Sequence, residues 1–180
     1  SGNVLMFFQS GEEGHGGADL MLERNMHLVA GELPIAAYGI HVFSLGEAGL
    51  FATRPGPLMA SAGDMIVKFA GRGGHGSMPW LAKDPITPMI QAMGAIQQLT
   101  AKSFSAFDQV IVNIGWIRAG ETDTTNIVPA EASFGATIRT FSNENFSRVR
   151  RELERLIGGI GDAFGVSATV EFPAASKVLV

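Results

Sequence analysis

The chain has 180 residues, of which 46% are hydrophobic and 17% charged, and its formal net charge is −4 at pH 7. This composition is typical of a globular domain and excludes an intrinsically disordered chain. The acidic balance, with no dense basic face, argues against nucleic-acid binding. Cysteine is absent, which excludes disulfides, a thiolate nucleophile and a cysteine-ligated zinc site within the chain.

The first 60 residues predict pieces of a fold rather than a complete core. Val4–Phe8 is a continuous apolar run that predicts a buried strand of a parallel sheet. A helix is predicted over about 17–25, and a second short strand over Ala36–Val42, with His41 near its end. Because the chain enters a buried strand at once, we expect it to be an internal portion of a longer protein.

No apolar run reaches the roughly 20 residues that a membrane-spanning helix requires. The lack of cysteine fits a reducing compartment, so we expect a cytoplasmic protein without a membrane partner.

From residue 61 to 172 the order is strand, helix, strand, strand, helix, strand. Strands are indicated by apolar alternation near residues 64–70, 110–116, 134–138 and 168–172. Asp84-Pro85 predicts the start of the first helix, and the second is predicted from about Asn143 to Gly165. This βαββαβ order predicts a ferredoxin-like α+β domain with four antiparallel strands and two helices on one face. Residues 173–180 are expected to leave this domain.

Glu12 and Glu13 follow the first predicted strand in a glycine-rich loop, residues 9–17. A solvated turn is the plain interpretation of two adjacent glutamates. The strand before them and the glycines after them favour a site instead. Adjacent carboxylates can divide the chemistry, one binding a metal and the other accepting a proton from water.

Four further residues have two interpretations each. His41 is either a structural histidine or a metal ligand at a strand end. His75 lies in the loop 71–79, which is not a phosphate loop because no Lys-Ser/Thr follows at the required spacing. Arg139 projects from the polar side of its strand, as a partner in a sheet-face salt bridge or as a carboxylate clamp. Asn126 is either a turn residue or a donor to a ligand oxygen.

Taken in order, these motifs resemble those of the M20 metallopeptidases, and among them the amidohydrolases that cleave N-acyl amino acids, such as hippurate hydrolases. The matching segments are FFQSGEEGHGGA at 7–18, YGIH at 38–41, GRGGHGSMP at 71–79, DPI at 84–86, NIVP at 126–129 and GATIRT at 135–140. Each motif alone is weak evidence for the family, but the six motifs together, in the family's order, are specific to it.

The resemblance implies a role for each candidate residue. Glu12 is the general base that activates the water held by the metal, and Glu13 and His41 are metal ligands, for one or two zinc or manganese ions. His75 reaches the partner's active site in a homodimer and stabilises the oxyanion. Asn126 and Arg139 hold the carboxylate of an N-acyl amino acid or peptide-like substrate.

The resemblance also implies a domain plan. Residues 61–172 are the lid, or dimerisation, domain, whereas residues 1–60 and 173–180 belong to an α/β zinc-peptidase-like catalytic domain. The family's first metal motif and last histidine ligand lie outside this sequence, and two ligands cannot complete a catalytic zinc site. We therefore expect the isolated chain to be inactive. The alternatives are an association module or a regulatory domain that binds a small molecule.

Overall fold

A computed structural model describes residues 3–12, 16–173, 175–176 and 178. The chain forms two compact units, Ser1–Thr53 and Arg54–Val180. Within the described ranges, no helix is long and apolar enough to cross a membrane.

The first unit contains one short helix, α1 (Gly17–Glu23), followed by a 3-10 turn at Met26–Leu28. The prediction of buried strands at Val4–Phe8 and Ala36–Val42 is wrong, because neither segment is a strand and most of their apolar side chains are exposed, Phe8 by 86%. A strand needs a neighbour to pair its backbone N–H and C=O groups. The described residues of this unit contain no strand that could serve as that neighbour.

The described residues of the second unit form a five-stranded antiparallel sheet and a smaller two-stranded one. Its elements are β1 (Ala62–Ala70), β2 (Gly74–His75), α2 (Ile86–Ser103), β3 (Val110–Ala119), β4 (Ile127–Val128), β5 (Glu131–Thr140), α3 (Asn143–Phe164), β6 (Ser167–Glu171) and β7 (Ala175–Ser176), with a 3-10 turn at Pro79–Leu81. The strand order is β3-β5-β1-β6, β7 pairs with the start of β1, and β2 pairs with β4. The predicted ferredoxin-like α+β fold is confirmed.

The core lies between one face of this sheet and the two helices. Alternate residues of β1 and β5 are buried there, among them Met65, Val67, Phe69, Phe134 and Ile138. The helices complete the core with residues spaced three or four apart, namely Met89, Ala92, Ile96, Val149, Leu153 and Ile157. Burial of one face explains why the alternation of period two was readable from the sequence.

The helix ends are defined by the residues that the sequence indicated. The two carboxylate oxygens of Asp84 accept hydrogen bonds from the backbone N–H groups of Ile86 at 2.9 Å and Thr87 at 3.2 Å. Gly165 ends α3 with φ at 66°, a left-handed conformation that glycine adopts without strain. Fixing the start of α2 also fixes the end of the loop that carries His75.

The sequence pattern misplaces one aromatic residue. Alternation put Trp116 on the core face of β3, but the register with β5 shifts between Ile114 and Trp116. Such a bulge inserts one residue and turns the following side chains to the opposite face. Trp116 therefore lies on the outer face, 46% exposed, over Gly135. A Cβ at Gly135 would lie 2.0 Å from the indole Nε1 atom, so this packing requires glycine.

Candidate functional site

His75 and Asn126 are brought together by the small sheet of β2 and β4. His75 pairs with Ile127, and the N–H of Gly76 donates to the carbonyl oxygen of Asn126 at 2.7 Å. A Cβ at Gly76 would lie 3.0 Å from that oxygen, so the glycine allows the close approach of the two segments. The base of the loop is closed by a bridge between Arg72 and Lys83. Backbone pairing, rather than side-chain packing, thus holds the two residues side by side.

The proton on the His75 ring is placed by Ser77. The backbone N–H of Ser77 donates to His75 Nδ1 at 3.2 Å, and the hydroxyl oxygen of Ser77 lies 2.7 Å from the same nitrogen. Because a backbone N–H can only donate, Nδ1 must accept, and a neutral imidazole then carries its proton on Nε2. His75 is exposed, so it presents an N–H donor outward without needing a positive charge.

Arg139 lies at the other end of the sheet. β5 begins at Glu131, next to the His75 loop, and Arg139 is eight residues further along the strand. At roughly 3.4 Å per residue these two positions are about 27 Å apart, much further than an arginine side chain reaches. Within one chain, Arg139 and Asn126 therefore do not converge on one carboxylate.

The guanidinium group of Arg139 is exposed on the outer face of the sheet. The ion pairs among the described residues are Lys68–Glu131 and Glu152–Arg155, so the sheet-face salt bridge considered for Arg139 is not formed there. Its charge remains available to a ligand.

In the first unit, Glu12 and His41 are exposed, and Glu13 lies outside the described residues. His41 Nδ1 is 2.7 Å from the carbonyl oxygen of Val42. A carbonyl only accepts, so Nδ1 carries the proton and Nε2 keeps a free lone pair, the state in which histidine binds metals. However, the described residues bring no three His, Cys, Asp or Glu side chains together as a metal site requires. They do not by themselves fit the metal that the resemblance implies.

A shallow groove on the outer face of the sheet was not indicated by the sequence. It has a volume of about 360 Å³ and is lined by residues that include Asp64, Asn113, Trp116, Gly135 and Thr137. The groove exists because the bulge in β3 turns Trp116 outward, and no residue pattern marked that bulge apart from Gly115 within the strand.

Residues 60–162, more than half of the chain, match the family model described as a peptidase dimerisation domain of the M20 type. The chain belongs to the M20 peptidase family. The domain that defines this membership is the ferredoxin-like unit that carries His75, Asn126 and Arg139.

Curated relatives align with nearly all of the 180 residues of this chain. An N-acetyldiaminopimelate deacetylase from Bacillus pumilus is 31% identical over 96% of the chain and 45% of its own length. Thermostable carboxypeptidase 1 from Saccharolobus solfataricus is 35% identical over 96% of the chain and 43% of its own length. The chain thus spans a little under half the length of these relatives.

Solved structures share the fold of the M20 chain. A Bacillus subtilis protein described as a dinuclear metal binding peptidase of the M20 family superposes with a TM-score of 0.69 at 24% identity, covering 96% of this chain and 41% of its own. An aminobenzoyl-glutamate utilization protein from Klebsiella pneumoniae gives a TM-score of 0.60 at 19% identity, with 69% and 31% covered. At these identities the likeness concerns the fold alone.

Proposed function

We propose that this chain is part of a metal-dependent amidohydrolase that cleaves the N-acyl bond of amino acids or short conjugates. The ferredoxin-like unit acts in it as the lid that binds the substrate and pairs with a second copy. The names of the relatives, a deacetylase of an N-acetylated amino acid and carboxypeptidases, support this class of substrate.

One observation carries the proposal: the two polar ends of the sheet are too far apart to serve one substrate from one chain. His75 and Asn126 lie at one end, and Arg139 at the other, about 27 Å along β5. In a dimer with twofold symmetry each chain offers both ends, one to each of two equivalent sites. Each site then receives His75 and Asn126 from one subunit and Arg139 from the other.

The chemistry follows from the donor properties of these groups. Attack of water on the amide carbon turns the carbonyl oxygen into an oxyanion. The Nε2–H group of His75 donates to that oxygen, and because Ser77 sets the tautomer in advance, little reorganisation accompanies the charge development. The Glu12 carboxylate accepts the proton of the attacking water and gives it to the amide nitrogen as the C–N bond breaks and the amine leaves. Arg139 binds the substrate carboxylate through two parallel hydrogen bonds.

The proposal includes one or two divalent ions, zinc or manganese, which would polarise the amide carbonyl when bound. Glu13 and His41 are the ligands that this chain would supply, and the free Nε2 atom of His41 fits that role. A catalytic zinc site needs at least three protein ligands, so the remaining ones would come from elsewhere in the protein.

Arg139→Ala, in a protein of the relatives' length that carries this chain, tests the substrate-binding role. We expect KM for an N-acetyl amino acid to rise about 10- to 100-fold, because a charge-assisted bidentate contact is lost. The value of kcat should change little, since the contact is the same in the ground state and the transition state. Arg139→Lys keeps the positive charge but loses the planar guanidinium group that makes two parallel hydrogen bonds. Its KM should therefore lie between those of the parent protein and the Arg139→Ala variant.

Arg118→Ala is the matched control, because Arg118 is also an exposed arginine, on the neighbouring strand β3. Its kinetic constants should stay close to those of the parent protein. Equal KM values for the Arg139→Ala variant and the parent would refute the carboxylate role.

A further inference from the structure

The groove on the outer face of the sheet has an apolar floor and a polar end. Trp116, Gly135 and Ile66 lie in one row across β3, β5 and β1. Gly135 has no side chain, so the indole of Trp116 lies directly over its backbone. This row provides an aromatic surface and a short aliphatic wall, against which a methylene chain can pack.

The next row across the same strands is polar. Asn113, Thr137 and Asp64 stand side by side, and the Asp64 carboxylate is in neither ion pair formed by the described residues. Glu171 pairs with Ile66 and adds a second carboxylate on this face. The nearby Lys68 is held by Glu131 at 2.7 Å. Among the described residues the Asp64 carboxylate thus has no lysine or arginine within ion-pair distance, and it can pair with a cationic group of a ligand.

Arg139 lies just beyond the polar end of the groove. Arg139 follows Thr137 by two residues on β5, so it is the next side chain on the same face. It is a diagonal neighbour of Asp64, and such neighbours are about 7–8 Å apart. A positive group and a negative group thus stand next to each other on one surface without pairing. Their complement is a ligand that carries a carboxylate and, a few bonds away, an ammonium group.

We propose that this groove binds the side chain of an N-acylated amino acid that ends in an ammonium group. The ligand's carboxylate lies on Arg139, its methylene chain passes over Thr137 against the indole of Trp116, and its ammonium group pairs with Asp64. The inference rests on the proposed function, in which Arg139 holds the substrate carboxylate, and it adds the class of side chain that is preferred.

A binding titration of the 180-residue chain tests this without requiring catalysis. The chain has two tryptophans, Trp80 and Trp116, so the Trp80→Phe variant reports on the groove alone by fluorescence. Nα-acetyl-lysine and Nα-acetylnorleucine are the probes, since they differ in the terminal ammonium group. We expect Nα-acetyl-lysine to bind about 10-fold more tightly, which corresponds to about 1.4 kcal/mol. Asp64→Asn should remove this difference, and Asp108→Asn, at an exposed carboxylate outside the groove, should preserve it.

The outcomes separate this inference from the proposed function. Equal affinities for the two probes, no binding of either, or an unchanged preference in the Asp64→Asn variant would overturn the inference. Arg139→Ala should weaken the binding of both probes by the same factor. Unchanged affinities in this variant would overturn both the inference and the role of Arg139 in binding the substrate carboxylate. If the chain prefers Nα-acetyl-lysine but a longer protein that carries it hydrolyses neither probe, the inference about the groove is supported and the proposed function is refuted.

Discussion

His75→Ala is expected to lower kcat about 10²- to 10³-fold in a protein of the relatives' length that carries this chain, with little change in KM. An oxyanion donor contributes mainly when the carbonyl oxygen gains charge, so its loss acts on the transition state and not on substrate binding. Steady-state kinetics with an N-acetyl amino acid measure both constants.

Two variants sharpen the result for His75. His75→Gln places an amide N–H donor in the same region and should restore part of kcat, which a purely structural role would not predict. His27→Ala replaces a histidine of the first unit outside the matched motifs and should leave kcat unchanged. An increase in KM alone for His75→Ala would show that the residue binds the ground state.

Glu12→Gln is expected to reduce kcat by about 10³-fold or more, because glutamine has nearly the same shape but cannot accept the proton of the attacking water. General bases contribute roughly 10²- to 10⁴-fold. Bound metal, measured by atomic emission on the dialysed protein, should remain close to the level of the parent, since Glu12 is proposed as a base and not as a ligand.

Glu32→Gln is the control for that measurement, as Glu32 is an exposed carboxylate in the same unit. Unchanged turnover in the Glu12→Gln variant would refute its role as the base. Loss of metal together with activity would instead make Glu12 a ligand.

The ferredoxin-like unit could be predicted because its pattern reflects burial of one face. Met65, Val67 and Phe69 alternate with exposed residues along β1, and α3 carries its apolar residues on one stripe between Ser142 and Gly165. The helix ends were readable for the same reason, since Asp84 and Gly165 satisfy local backbone requirements that do not depend on the rest of the fold.

Other features depend on neighbours that a sequence does not name. The apolar run Val4–Phe8 has the same composition whether or not a strand lies beside it, and here the described residues provide none. One extra residue in β3 turned Trp116 to the outer face. The six motifs also gave the order of the candidate residues along the chain but not the distances between them in space. Only the structure shows that the length of β5 separates Asn126 from Arg139.

The shared site is tested most directly by mixing two inactive subunits. His75→Ala and Glu12→Gln subunits of the longer protein, with different affinity tags, are co-expressed and the mixed dimer is isolated. If His75 acts on the partner's site, one of the two sites in this dimer has both Glu12 and His75, and activity returns to about half that of the parent. If both residues act within one chain, each site lacks one of them, and the mixed dimer remains as inactive as the two variants.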